Sequence, residues 1–309
     1  MPRATSADAA ARAPSAGSLA FAWPGGRSGV LLIHGLGGTP TEMRFVARGL
    51  HAAGFTVHAV QLAGHCGTVA DLVATGWRDW RRSVEEAADA LAAQVDHVFV
   101  AGLSMGAVLA LELAIARPDL VRGVGCYGTT FRLDGWAVPL HARLSVLLPL
   151  VCGLGLGRER QVMERHPYGI KDERTRAWVV GSMLAGDSGA AGLPGTPWGA
   201  LAEFVRLSRH VRRRLGGVRA PCLVVHSSDD DIASLSNVEL IQRRVSGPVE
   251  TVLLDDSYHI VPVDRQRGIL IRHSVAFFRR VAEECDTTRA RAAAAGAPAR
   301  PPHELNPTP

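Results

Sequence analysis

The stretch HVFVAGLSMGAVLALELAIAR, residues 97–117, decides the fold. It opens on a β-prone run that is apolar after His97, and Pro118 stops the helix-forming run that follows Ser104. Between strand and helix stands Gly102-Leu103-Ser104-Met105-Gly106, a G-x-S-x-G pattern. A turn that sharp needs glycine two residues before and two after the serine, because a Cβ at either place would collide with the turn. The serine is thereby lifted out at the carboxyl edge of a sheet. Ser104 is the candidate nucleophile, and the Met105 N–H, at the start of the helix, is a candidate donor to an oxyanion.

Working outward, short apolar runs alternate with longer amphipathic segments. The clearest strands are Gly29–Ile33, Thr56–Gln61, His97–Ala101, Cys222–His226 and Val249–Leu254. Asp71–Gln94 and Met105–Arg117 carry apolar residues at helical spacing and read as crossover helices. The alternation predicts an α/β chain with a mostly parallel central sheet flanked by helices. Residues 131–218 interrupt it with helix-like pieces and Gly/Pro breaks, and are expected to form a helical cap insertion over the site. Within the cap, Leu144–Leu156 runs without a charge but is too short to span a membrane. It is read as a buried cap helix whose apolar wall receives the substrate, with an interfacial lid as the alternative. Arg206, Arg209, Arg212, Arg213 and Arg214 share a helix with Leu201, Phe204, Leu207, Val211 and Leu215. That helix reads as one solvated basic face, or as a dock for an anionic partner.

Composition bounds the rest. In 309 residues, 47% apolar and 20% charged side chains suit one catalytic domain, expected over residues 19–285, with disordered tails at 1–18 and 286–309. The formal charge of +5 is reduced to about +3 once the tails, each at +1, are set aside, and no aromatic-basic interleaving accompanies it. No nucleic-acid partner is expected. Five widely spaced cysteines, never in a ligand or C-x-x-C spacing, predict a reduced cytoplasmic protein without metal or other cofactor. The first 18 residues lack the apolar core of a secretory signal.

A serine hydroxyl needs a base to take its proton, and the base needs an acid. After Ser104, the run Pro221–His226 delivers Asp229, Asp230 and Asp231 at a strand end, and Val249–Leu254 delivers His259 in the following loop. The order Ser, Asp, His fits a triad. His34, His51, His58, His65 and His97 precede the nucleophile, His273 lies in a helical run, and His226 sits too near the acid. His259 is therefore the candidate base. Asp230 is the candidate acid, with Asp229 next and Asp134 a minor alternative. A second oxyanion donor belongs after an early strand, where His34-Gly35-Leu36-Gly37-Gly38 follows Gly29–Ile33 and would aim the Leu36 N–H at the site. The same run lacks the spacing of a phosphate loop.

Five pieces together resemble the small bacterial carboxylesterases and monoacylglycerol lipases of the α/β-hydrolase superfamily. They are LLIHGLGGTPTEMR (31–44), LAGHCGT with DLVATGWRDW (62–80), GLSMG (102–106), PCLVVHSSDDDI (221–232) and DDSYHIVPVDR (255–265). The resemblance covers both ends of the core but not the cap. It implies Leu36 and Met105 as oxyanion donors, the acid nine residues after Pro221 at Asp230, and a small acyl ester as substrate. Two departures stand out: Gly64-His65-Cys66 where the family has Gly-His-Gly, and Ser227 where it often has Gly. The rival readings are an acyl-CoA or carrier-protein thioesterase or acyltransferase docking through the arginine helix, and a pseudo-hydrolase that only binds.

Overall fold

A computed structural model describes residues 18–186 and 188–294. A seven-stranded sheet forms the centre. Its strands are β1 (Phe21–Trp23), β2 (Ser28–Ile33), β3 (Thr56–Val60), β4 (His97–Leu103), β5 (Val121–Tyr127), β8 (Cys222–Ser227) and β9 (Val249–Leu254), in the order β1-β3-β2-β4-β5-β8-β9. All neighbours are parallel except β1 against β3. Parallel central strands are covered on both faces, so β4 is buried along its whole length.

One face carries α3 (Trp77–Ala92), α4 (Met105–Ala116), α8 (Trp198–Arg214) and α9 (Ser236–Arg244). The other carries α1 (Arg44–Ala52) and α10 (Arg267–Ala294). The expected crossover helix over Asp71–Gln94 is two helices, α2 (Val69–Ala74) and α3. Thr68 and Asp71 cap each other at the start of α2, and the Gly76 N–H bonds Asp79 at the start of α3, so local capping breaks the periodic run. No helix of the described residues is long and apolar enough to cross a membrane.

Two strands of the central sheet escaped the sequence reading. β1 is three residues long, and β5 carries Gly123 and Gly125, which dilute its β signal. Those glycines are steric: a Cβ on Gly125 would stand 2.8 Å from that of Ala101, and one on Gly123 would press on Phe99 and Phe277. The terminal helix α10 runs on to Ala294, into a segment expected to be disordered, and His97 Nε2 meets Asp286 there at 2.8 Å. The expected tail residues 1–17 and 295–309 lie outside the described residues.

Between β5 and β8 lie a 3-10 segment (Leu140–Leu147), α5 (Leu148–Gly153), α6 (Glu173–Leu184), α7 (Ser188–Ala191) and a two-stranded ribbon of β6 (Gln161–Met163) and β7 (Gly195–Pro197). Helix α8 follows, but its Phe204, Leu207 and Val211 are part of the core beside α3 and α4. The last quarter of the region expected to be cap is thus core. The basic side of helix α8 is partly spent on internal contacts: Arg206 donates to Pro149 O at 2.7 Å and Arg209 to Val146 O at 2.6 Å, both in the insertion, and Arg214 reaches the buried Glu112 of α4 at 3.2 Å. Three of the five arginines read as a solvated or docking face are committed internally.

The run Leu144–Leu156 also departs from expectation. Leu144, Leu147, Leu150, Leu154 and Leu156 are all more than half exposed, and of this run only Cys152 is buried. It is neither a buried helix nor a cavity wall.

Candidate active site

The carboxyl ends of β2, β4, β5, β8 and β9 meet at one edge of the sheet, where α/β folds place ligands. Ser104 stands between β4 and α4 at φ 56° and ψ −114°, a left-handed-side conformation that a non-glycine residue adopts only under strain. A Cβ on Gly102 would fall inside the backbone of Gly106, and one on Gly106 inside the carbonyls of Ile33 and His34. The two glycines are therefore what let the helix start against the strand. The elbow is pinned to β5 by the Ser104 N–H, which donates to Tyr127 O at 2.8 Å. Thr130 Oγ1 donates to Gly128 O at 3.1 Å, so the Ser104 hydroxyl, 3.0 Å away, donates to Thr130. His259 makes no hydrogen bond to Ser104, although both border the same cavity.

His259 and Asp230 are both nearly fully buried. Nδ1 of His259 lies 3.0 and 2.9 Å from the two carboxylate oxygens of Asp230, which fixes the proton on Nδ1 and leaves Nε2 free to accept. Asp230 is itself held by the N–H groups of Ile232 (2.9 Å) and Ala233 (2.8 Å). Burial works to lower the pKa of His259, but the charge and hydrogen bonds of Asp230, then the charges of Asp231 and Glu164, outweigh it and raise it above 6.5. Burial pushes Asp230 up, yet His259 and its hydrogen bonds hold it below the usual carboxylate range.

The competing residues are placed elsewhere. Asp229 is half-exposed and pairs with Lys171 at 3.3 Å. Asp134 accepts from Ser234, Ser236 and Asn237, tying the start of the insertion to the loop after β8. His226 backs the acid, with Nε2 donating to Ala233 O at 2.8 Å. Asp231, unlike Asp229, is 1% exposed and accepts two backbone N–H groups.

The loop after β2 is shaped by His34. Its Nδ1–H donates to Gly35 O at 2.9 Å while Nε2 accepts the Leu62 N–H at 3.2 Å, and burial lowers its pKa to about 3, so the ring stays neutral. Gly35 N–H is taken by Glu42 at 3.2 Å. The N–H groups of Leu36 and Met105 have no acceptor among the described residues, and both residues border the cavity. Unpaired backbone donors beside a half-buried serine are what an oxyanion requires. Burial against this loop raises Glu42 to about 7.

The cavity holds about 170 Å³. Besides Ser104 and His259, its wall is largely apolar: Leu133, Val179, Met183, Leu193, Leu201, Phe204, Ile232 and Ile260. No residue of Leu144–Leu156 lines it. The insertion contributes through α6 and through the residues flanking the ribbon.

The profile of the family described as serine aminopeptidase, S33, matches residues 26–266. The chain belongs to this family of α/β hydrolases. The names carried by its relatives cover more than one activity. A thermostable monoacylglycerol lipase of Bacillus sp. (strain H-257) is 30% identical over 254 residues, covering 82% of this chain and 91% of that protein. A carboxylesterase of Bacillus subtilis is 24% identical over 267 residues, covering 84% and 96%. A solved structure described among two metagenome-derived lipolytic enzymes, LipS and LipT, superposes with a TM-score of 0.70 at 27% identity, over 85% of this chain and 98% of that one.

Within this S33-family frame, sequence reasoning passed over four residues that border or support the site. Thr130 accepts the hydrogen bond of the Ser104 hydroxyl. Gly128, at φ 50°, lies against the His259 ring, where a Cβ would stand 3.4 Å from Nδ1. Glu42 and Asp231 brace backbone N–H groups on either side of the cavity. Only Gly128 left a signal, as a glycine two residues before a threonine at the end of an unrecognised strand. Cys66 stands at φ 68°, so the departure from Gly-His-Gly keeps the left-handed backbone that a glycine would adopt without strain.

Proposed function

We propose that this S33-family hydrolase cleaves carboxylic acyl esters through a covalent acyl-Ser104 intermediate. One observation carries the reading: Ser104, His259 and the free N–H groups of Leu36 and Met105 border a single apolar cavity, while Asp230 holds His259 from behind. The lipase and esterase names of its relatives support ester over peptide as the bond cleaved, despite the family's description.

In the first half-reaction the Ser104 hydroxyl leaves Thr130 and turns to His259. Such hydrogen bonds commonly tighten only with substrate in place. Oγ attacks the ester carbonyl carbon as Nε2 takes its proton, and the carbonyl oxygen becomes an oxyanion held by Leu36 and Met105. The tetrahedral intermediate collapses, the imidazolium protonates the alcohol, and the alcohol departs. Water then repeats the sequence on the acyl-Ser104 carbonyl, releasing the acid and restoring the serine. Asp230 keeps the imidazole in the reactive tautomer and stabilises the imidazolium throughout. Because His259 must be neutral to accept the proton and its pKa is raised, kcat/KM should rise with pH through a midpoint above 6.5. The five free thiols suit a reducing, cytoplasmic compartment.

A cavity of this size, below the range of drug-sized pockets, suits a short or medium acyl chain. The test is hydrolysis of p-nitrophenyl esters from acetyl to decanoyl, beside an acyl-CoA and an aminoacyl amide. Each added methylene that leaves water is worth roughly 0.8 kcal/mol, about fourfold in kcat/KM, until the cavity fills. The reading expects a rise from acetyl to butyryl or hexanoyl and slower turnover of amide and thioester. Faster cleavage of the amide or of the acyl-CoA would replace it.

A further inference from the structure

Asp231 is a buried carboxylate with no cation paired to it among the described residues. Taking a charge out of water without a counter-ion is expensive, and a purely structural role would be served by a neutral side chain. Its partners are all on the backbone: Oδ1 accepts the His259 N–H at 3.2 Å, and Oδ2 accepts the Gly169 N–H at 3.1 Å.

Those two bonds are the centre of a longer staple. Ile260 N–H donates to Gly169 O at 2.7 Å. Asp264, fully buried, accepts Tyr258 N–H at 2.7 Å from one side and the N–H groups of Lys171 (2.9 Å) and Asp172 (2.8 Å) from the other. Three successive N–H groups of the base loop, at Tyr258, His259 and Ile260, are thus bonded to Asp264, Asp231 and the strap 168–172 of the insertion. The strap is itself strained at Tyr168, whose φ of 59° is left-handed, and Gly169 follows at φ 69°; both residues border the cavity. Strain of this kind persists where surrounding bonds over-determine the backbone.

We propose that Asp231 is a positioning residue for His259: its carboxylate fastens the strap of the insertion to the backbone of the base, and its charge stabilises the imidazolium formed when Ser104 gives up its proton. The groups facing that imidazole are Asp230 and Asp231 after β8, His226 at the end of β8, Glu164 of the insertion and Glu42 after β2. Asp231 is next after Asp230 among those that favour the charged ring. The inference rests on His259 being the base of the ester hydrolase proposed above.

The experiment compares wild type with Asp231→Asn, Asp231→Ser and Asp231→Glu, measuring kcat and KM for p-nitrophenyl butyrate and kcat/KM across pH. Asparagine keeps the shape but offers one acceptor and no charge. It should lower kcat by about 10²-fold with KM little changed, the effect of a catalytic group displaced by a fraction of its bond length. The acid-limb midpoint should move to lower pH. Asp231→Ser, smaller and also neutral, should move the midpoint the same way, and Asp231→Glu should return it toward wild type. An unmoved midpoint in the neutral variants, a wild-type kcat, or failure of all three variants to fold would overturn the proposal. His259→Ala separates the two readings. If it leaves hydrolysis intact the ester hydrolase mechanism fails, whereas if it abolishes hydrolysis and Asp231→Asn changes nothing, only the role of Asp231 fails.

Discussion

The sheet and the insertion use apolar residues in opposite ways. In β2 and β4 every apolar side chain is buried, and the strand ends carry the candidate nucleophile, acid, base and oxyanion loop. In the insertion, Leu140, Leu144, Leu147, Leu150, Leu154, Trp178 and Leu184 are more than half exposed. Among the described residues its contact with the cavity runs through a few positions: Leu133, Glu164, the strap at Tyr168 and Gly169, Val179 and Met183 of α6, and Ala191, Leu193 and Thr196. The difference teaches that hydrophobicity places the strands but does not say which side of the insertion faces the cavity. There, carboxylates and backbone bonds set the arrangement.

Breaking the sheet side of this contrast should have the largest effect. Ser104→Ala or His259→Ala should each lower kcat on p-nitrophenyl butyrate by about 10⁶-fold, as in other triads, with an unchanged circular dichroism spectrum. Asp230→Asn should follow at about 10⁴-fold, because it disfavours the reactive tautomer. Asp229→Asn loses only a half-exposed pair with Lys171 and should change kcat less than about fivefold, in line with the small worth of surface ion pairs. Kinetics of the two variants side by side check the register at which the loop after β8 delivers its acid.

The candidate triad residues and the strands that carry them stand out in the sequence because their signals are local. G-L-S-M-G encodes a turn within five residues, and Pro221 and Asp230 belong to one short strand-loop unit. The residues that escaped act through contacts distant in sequence. Asp231 reaches Gly169, Thr130 reaches Ser104, and Glu42 closes on Gly35 only once the loop after β2 has folded back. Among three consecutive aspartates, nothing in the sequence distinguishes the one in solvent from the two that are buried. The uncharged run Leu144–Leu156 was misread for the same reason, since lack of charge does not show which surface a segment meets. Helix α8 was assigned to the cap because it follows the insertion directly, whereas its packing against α3 and α4 is visible only in three dimensions.

The contrast within the insertion gives a smaller effect. Val179 lines the cavity and Leu150 does not, so Val179→Asp should flatten the gain from acetyl to hexanoyl by about tenfold, the worth of one or two buried methylenes. Leu150→Asp, on the exposed surface, should leave that gain intact and shift stability by less than about 0.5 kcal/mol. A chain-length series on both variants tests whether α6 or the leucine run receives the acyl group.

The smallest effect concerns the loop after β3. Cys66→Gly should raise stability by about 1 kcal/mol by relieving a left-handed backbone at φ 68°, measured as an upward shift in Tm. A lower Tm would mean that the packing of the half-buried thiol outweighs the strain.

The central claim, that the elbow serine is the nucleophile of this S33-family hydrolase, is tested most directly by covalent labelling. The protein is treated with a fluorophosphonate, digested, and the modified residue located by mass spectrometry. The account expects a single adduct on the peptide containing Gly102-Leu103-Ser104-Met105-Gly106, at Ser104, and none after Asp230→Asn on the same time scale. An adduct on another serine, or active ester hydrolysis that persists in protein fully modified at Ser104, would contradict it.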